Sequence, residues 1–245
     1  MRNIKMTIKY DGSRYKGFQR LQDNDMTIQG KLESVIRKMT EEPVEIIGSG
    51  RTDMGVHAYG QVANFKTTSE MTLKKMKAYL YEYLPEDIVV INLEEADERF
   101  HSRYNAKSKV YLYKIYNNEV HDPFLRKYTN HIARKLDLNL MKEASKQLVG
   151  EHDFTSFVSS KSKKKSNVRT IHSIEIQENN NVIEIYVEAD GFLYNMVRII
   201  VGTLIDTGLR KKTVKDIEYM LKAKDRSVSS ETAPSKGLCL YKVKY

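Results

Sequence analysis

Apolar and polar residues alternate from Ile4 to Tyr10 and the run ends at Asp11-Gly12, which reads as a strand closed by a turn. Beyond it, Ile28, Leu32, Val35, Ile36 and Met39 recur at the spacing of one helix face. Val44 to Ile47 and Val56 to Phe65 read as strands. Leu73, Met76, Leu80, Tyr83 and Leu84 then make a helical stripe halted by Pro85, and Ile88 to Leu93 a further strand. The first half is thus ordered β-α-β-β-α-β. The second half repeats that order. Lys109 to Tyr116 is its opening strand, and Leu138, Met141, Ser145, Leu148 and Val149 mark a helix ending at Gly150. Ile171 to Ile176 and Val182 to Val187 form a hairpin around Asn179-Asn180-Asn181. The most apolar helix follows, with Leu193, Met196, Val197, Ile200, Val201 and Leu204, then a short helix from about Val214 to Leu221 and a last strand from Leu238 to Val243.

This pattern predicts an α+β fold of two ferredoxin-like halves, residues 1–104 and 105–245, each an antiparallel sheet with helices on one face. RNA-recognition modules offer such a sheet face to nucleotides, although the topology hosts many functions and says little about chemistry alone. Charge narrows the choice. A net charge of +9 favours a polyanionic partner, and sixteen tyrosines supply flat rings for stacking. No apolar run reaches the ~18 to 20 residues of a membrane span, and the N-terminus is too polar for a signal peptide, so no membrane partner and a cytoplasmic location are expected. Cys239, the one cysteine, reads as a core residue, and the histidines show no metal-ligand spacing, so no metal is expected and His57 reads as a hydrogen-bonding residue. The stretch Lys161-Ser162-Lys163-Lys164-Lys165-Ser166 is a loop that either is merely solvated or contacts phosphates.

Candidate chemistry concentrates in residues 48–61, GSGRTDMGVHAYGQ, where Asp53 sits in a glycine-punctuated turn with Arg51 beside it. Gly48, Gly50 and Gly55 permit conformations and close approaches that a Cβ would block, and Arg51 can hold a neighbouring carboxylate ionised. From spacing alone, a tight turn with a surface ion pair is the plainer reading. The whole run changes the balance. Arg51 to His57 closely resembles the signature of the tRNA pseudouridine synthase A (TruA) family, with Met54 at its variable place.

The likeness extends along the chain through YDG (Tyr10–Gly12), GFQ (Gly17–Gln19), TIQGKLE (Thr27–Glu33), QVANF (Gln61–Phe65), LPEDI (Leu84–Ile88) and RFHSRYNA (Arg99–Ala106). It continues with the Tyr111-Leu112-Tyr113 strand, GEHDFTSF (Gly150–Phe157), GFLYNMVR (Gly191–Arg198) and the tail from Ala233 to Leu240. The resemblance implies sheets flanking a basic catalytic cleft, isomerisation of uridine in the anticodon stem-loop of tRNA at positions 38 to 40, no cofactor, and a homodimer that shares one tRNA. It also implies Asp53 as the catalytic aspartate, Arg198 as the arginine paired with it, Tyr111 as the tyrosine meeting the target base, and Leu238 as a pocket residue. Arg51 joins them on the substrate-binding side. By themselves, Tyr111 could be one more strand aromatic and Arg198 a snorkelling helix residue. Tyr81 and Asn195 depart from the family pattern and keep open a paralogue acting on ribosomal RNA; a silent RNA-binding module and a nucleoside hydrolase are the competing functions. Hydrolysis usually calls on a second carboxylate or a metal, for which no other acidic residue has comparable motif support.

Overall fold

The computed structural model describes residues 1–22, 26–159 and 166–245. In chain order its elements are β1 (Arg2–Tyr10), α1 (Ile28–Thr40), β2 (Ile47–Gly48), β3 (His57–Thr67), α2 (Leu73–Tyr83), β4 (Ile88–Ala96), β5 (Ser108–Asn117), β6 (Asn130–Ile132), α3 (Leu138–Lys146), β7 (Gly150–Asp153), β8 (Val168–Asn179), β9 (Val182–Ala189), α4 (Met196–Gly208), α5 (Val214–Ala223) and β10 (Leu238–Lys244). They form a mixed α+β protein of two compact units. One comprises Met1–Lys107 with Cys239–Tyr245, the other Ser108–Leu238.

In the first unit β1 is antiparallel to both β3 and β4, with Met6 opposite Ala63 on one side and Leu93 on the other. Ile4, Met6 and Ile8 are fully buried, as their alternation requires. Helix α1 starts where the Thr27 side chain accepts from the Gly30 N–H, and its stripe of Ile28, Leu32, Ile36 and Met39 is buried. Helix α2 buries Met76 and Leu80, but Tyr83, expected on the same stripe, is exposed and stacks on Tyr79 at 4.3 Å. The strand expected over Val44 to Ile47 shrinks to β2. Val44 and Ile46 are buried, yet the Ile46 N–H donates to the buried Glu33 carboxylate at 3.0 Å and leaves no ladder bond at that position. One edge of β3 is taken by β1; the other is shared by β2, antiparallel at Asn64, and β10, parallel at His57. The closing strand therefore pairs within the first unit, and Cys239 is buried there.

In the second unit the sheet runs β5-β9-β8-β7, all antiparallel, with the short β6 parallel to β5. Strands β8 and β9 join through Asn180 and Asn181, whose φ angles of 50° and 62° suit the mirror-image turn that hairpins favour. Helix α3 stops at Lys146, earlier than expected; Leu148 is still buried, while Val149 is exposed and Gly150, at φ +110°, opens β7. Helix α4 is buried on nearly every side, which accounts for its largely apolar composition. The lysine stretch at 161–165 lies outside the described residues.

Candidate active site

Asp53 is carried on the connection between β2 and β3, where the Val56 N–H donates to the Asp53 carbonyl at 3.1 Å and Gly55 stands at φ +75°. A positive φ at the third turn position is what a glycine permits without strain. The turn is held from several sides. Phe18 N–H donates to the Thr52 carbonyl at 2.9 Å, and Gly55 N–H to the Tyr15 carbonyl at 3.3 Å. The Tyr10 and Thr52 hydroxyls meet at 2.8 Å. Tyr10 reaches Thr52 just past a register shift between β1 and β3, the kind of irregularity that re-aims a side chain. Gln61, fully buried, accepts from the Ser49 hydroxyl at 2.7 Å and donates to the Gly50 carbonyl at 2.8 Å, fixing the approach to the turn.

Two glycines let neighbouring backbone reach this turn. A Cβ on Gly12 would lie 2.0 Å from the Val56 carbonyl oxygen, and one on Gly17 would lie 2.8 Å from that of Thr52. His57 Nδ1 stands 3.1 Å from both the Gly12 N–H and an Asp11 carboxylate oxygen. One nitrogen cannot accept from the first while donating to the second, so Nδ1 serves Gly12 when it carries no hydrogen and Asp11 when it carries one. Tyr15 donates to Asp87 at 2.6 Å, and burial with that bond pushes its hydroxyl pKa up to about 12, so it stays a neutral donor.

The expected site residues fall in both units. Thr52 is buried, Asp53 half-buried, and Arg51 exposed without an ion pair among the described residues. In the second unit Tyr111 lies on β5 opposite Val187, buried, with its ring edge-on to Phe192 at 5.1 Å. Arg198 is half-buried on the first turn of α4. Its Nε donates to the Ala233 carbonyl at 2.7 Å, its Nη1 donates to Asn195 Oδ1 at 2.8 Å, and the Ala233 N–H returns a bond to the Arg198 carbonyl at 3.1 Å. The buried Tyr113 hydroxyl donates to the Pro234 carbonyl at 2.9 Å; desolvation raises its pKa against the opposing pull of the Arg198 charge. Leu238 is buried at the start of β10.

The motif reading missed the supports. Tyr10 and Gln61 belong to strings that resemble the family and Tyr15 lies between two of them, but nothing in the strings says what these residues hold. Asn64 is another such residue. Its carbonyl accepts from the Ser102 N–H at 2.9 Å and hydroxyl at 2.6 Å, while its amide donates to Asn3 at 2.9 Å, so buried side chains of β1 and β3 pin the RFHSRYNA segment. Polar residues interrupting a central apolar strand were the available signal.

A half-buried carboxylate on a turn braced by backbone and buried side chains is chemically suited to nucleophilic or acid–base work. The model of the family described as "tRNA pseudouridine synthase" matches residues 6–105 and 144–245. A "tRNA pseudouridine synthase A" of Bacillus sp. (strain KSM-64) is 56% identical over 93% of both chains. A "tRNA pseudouridine synthase A 2" of Bacillus cereus (strain ZK / E33L) is 52% identical over 100% of both. A solved chain titled "Crystal Structure of a Cbf5-Nop10-Gar1 Complex" aligns with 97% of this chain and 48% of its own length, at 11% identity and TM-score 0.37, too distant to carry an argument. The chain belongs to the tRNA pseudouridine synthase family and is an RNA pseudouridine synthase, an isomerase. Among the described residues there is no group of three or more His, Cys, Asp or Glu able to hold a metal, and no helix long and apolar enough to cross a membrane.

Proposed function

We propose that this protein converts uridine to pseudouridine in the anticodon stem-loop of tRNA, at positions 38 to 40, with Asp53 as the reacting carboxylate. The observation that carries the reading is Asp53 itself, half-buried on a turn braced by Tyr10, Tyr15 and Phe18 and set in the residue run Arg51–His57. The reaction breaks the bond from C1′ to N1 and makes one from C1′ to C5; N1 gains a proton and C5 loses one, so atoms and electrons balance without a cofactor. An ionised Asp53 can attack the base or sugar or remove a sugar proton, and each route needs the charge. The uridine must leave its stack, at a cost of a few kcal/mol, which a strained loop offers most cheaply.

To Tyr111 we assign the stacking face and hydroxyl for the extruded base, to Leu238 the pocket wall, to Arg51 the substrate backbone, and to Arg198 the orientation and ionisation of the carboxylate. A homodimer gives one tRNA more surface to grip, and a tRNA substrate puts the enzyme in the cytoplasm. Pseudouridine mapping in total RNA from cells with and without the protein tests the target. Loss in the anticodon arm is expected; loss confined to ribosomal RNA would overturn the tRNA assignment.

A further inference from the structure

Asn195 occupies the N-cap of α4, where an asparagine ordinarily turns its side chain onto the backbone N–H groups of the first turn. It makes no such bond. Its backbone is left-handed, with φ of 62° and ψ of 6°, instead of the extended conformation usual for an N-cap. Both departures serve one arrangement. The Asn195 side-chain oxygen accepts from Nη1 of Arg198, three residues on, and its amide nitrogen donates to the Ser159 hydroxyl at 2.9 Å. The guanidinium decides which way the amide faces: it can only donate, so the amide oxygen turns to Arg198 and the amide nitrogen is left to donate to the Ser159 hydroxyl.

Arg198 is thereby held at two edges, Nε by the Ala233 carbonyl and Nη1 by Asn195. A planar guanidinium held at two of its five N–H groups has a fixed plane, and the remaining three are aimed. The backbone carbonyl cannot be removed by mutation, but Asn195 can. The helix has given up a side-chain cap and accepts a left-handed asparagine, and such local strain persists where the surroundings fix it for a purpose.

We propose that Asn195 is a positioning residue of the isomerisation, acting through Arg198 by setting the plane of its guanidinium; this rests on the role assigned to Arg198 above. Asn195 touches neither substrate nor the reacting atoms in this account. Its effect falls on the chemical step and leaves RNA affinity unchanged, because a misaimed arginine still carries its charge.

The test uses N195G, since glycine adopts the left-handed conformation freely and removes only the amide. Thermal melting should stay at or above that of wild type. Single-turnover rate at saturating tRNA should fall about tenfold, with the tRNA dissociation constant unchanged. N195D, which keeps an acceptor oxygen toward Arg198, should recover most of the rate. The double variant N195G/R198A should be no slower than R198A alone, the signature of one residue acting through the other. The proposal is overturned if N195G turns over like wild type, if its loss appears only in affinity, or if it slows R198A further. A wild-type rate in R198A would overturn the role given to Arg198 and this inference with it; a slow R198A beside a normal N195G would overturn the inference alone.

Discussion

Replacing Gly12 by alanine should damage the site from a distance, because the added carbon would fall 2.0 Å from the Val56 carbonyl oxygen and 2.6 Å from its carbon. Both are backbone atoms, so no side chain can swing aside. An ordinary carbon–oxygen contact needs ~3.3 Å, and restoring it from 2.0 Å moves the Val56 peptide by about 1.3 Å. The N–H of the same residue, in the peptide group before it, donates to the Asp53 carbonyl, so the displacement is passed to the turn through Val56 itself. Overpacking of this kind costs ~1 to 3 kcal/mol, and the rigidity of the neighbour puts Gly12→Ala at the upper end. A reacting group misplaced by ~1 Å loses on the order of 100-fold in rate, equivalent to about 2.7 kcal/mol of barrier. Urea unfolding gives the first quantity, and single-turnover release of tritium from C5 of labelled uridine in tRNA gives the second. Gly191→Ala is the control for stability, as its new carbon would find nothing nearer than 3.5 Å and should change stability by less than ~0.5 kcal/mol. A Gly12→Ala protein as stable and as active as wild type would refute the claim that this contact holds the Asp53 turn in place.

Tyr111→Phe keeps the ring that packs edge-on to Phe192 and removes the hydroxyl, so RNA affinity should hold while the single-turnover rate falls; an unchanged rate would limit Tyr111 to stacking. Replacing Lys161, Lys163, Lys164 and Lys165 by serine should weaken tRNA binding and flatten its salt dependence by up to roughly 0.9 per lost phosphate contact, whereas an unchanged slope would mean the stretch is only solvated. Asp216 accepts from the Thr213 backbone N–H at 2.6 Å at the start of α5, and that bond holds its carboxyl below the usual value. Its contribution is therefore present above the unfolded pKa of ~3.9 and is lost as pH falls through the lower folded value. Asp216→Ala should cost roughly 0.5 kcal/mol at neutral pH, less than a buried cap, and the deficit should vanish in acid; a pH-independent difference in urea midpoint would contradict this.

Where an element buries one continuous stripe, its residues announced it: Ile28, Leu32, Ile36 and Met39 marked α1, and α4 was legible from its apolar run. β2 was overread because Val44 and Ile46 alternate like a strand, while the bond that diverts the Ile46 N–H comes from Glu33 on a neighbouring helix. β6 and β7 are too short and polar to carry a period of two. The Asp53 turn was visible because its requirements are local, a glycine at positive φ and a run of residues within a few positions. Its bracing was not. Tyr10 reaches Thr52 across 42 positions after a register shift, and Arg198 docks on Ala233 across 35, relations that only the folded chain creates.

The central claim is that the Asp53 carboxylate performs the isomerisation, and Asp53→Asn tests it most directly by keeping the shape and removing the charge. Nucleoside analysis of tRNA incubated with each protein should show pseudouridine formed at the expense of uridine by wild type and none by the variant, with tRNA affinity and melting temperature unchanged. Near wild-type turnover by Asp53→Asn, or free uracil in place of pseudouridine from the wild-type protein, would contradict it.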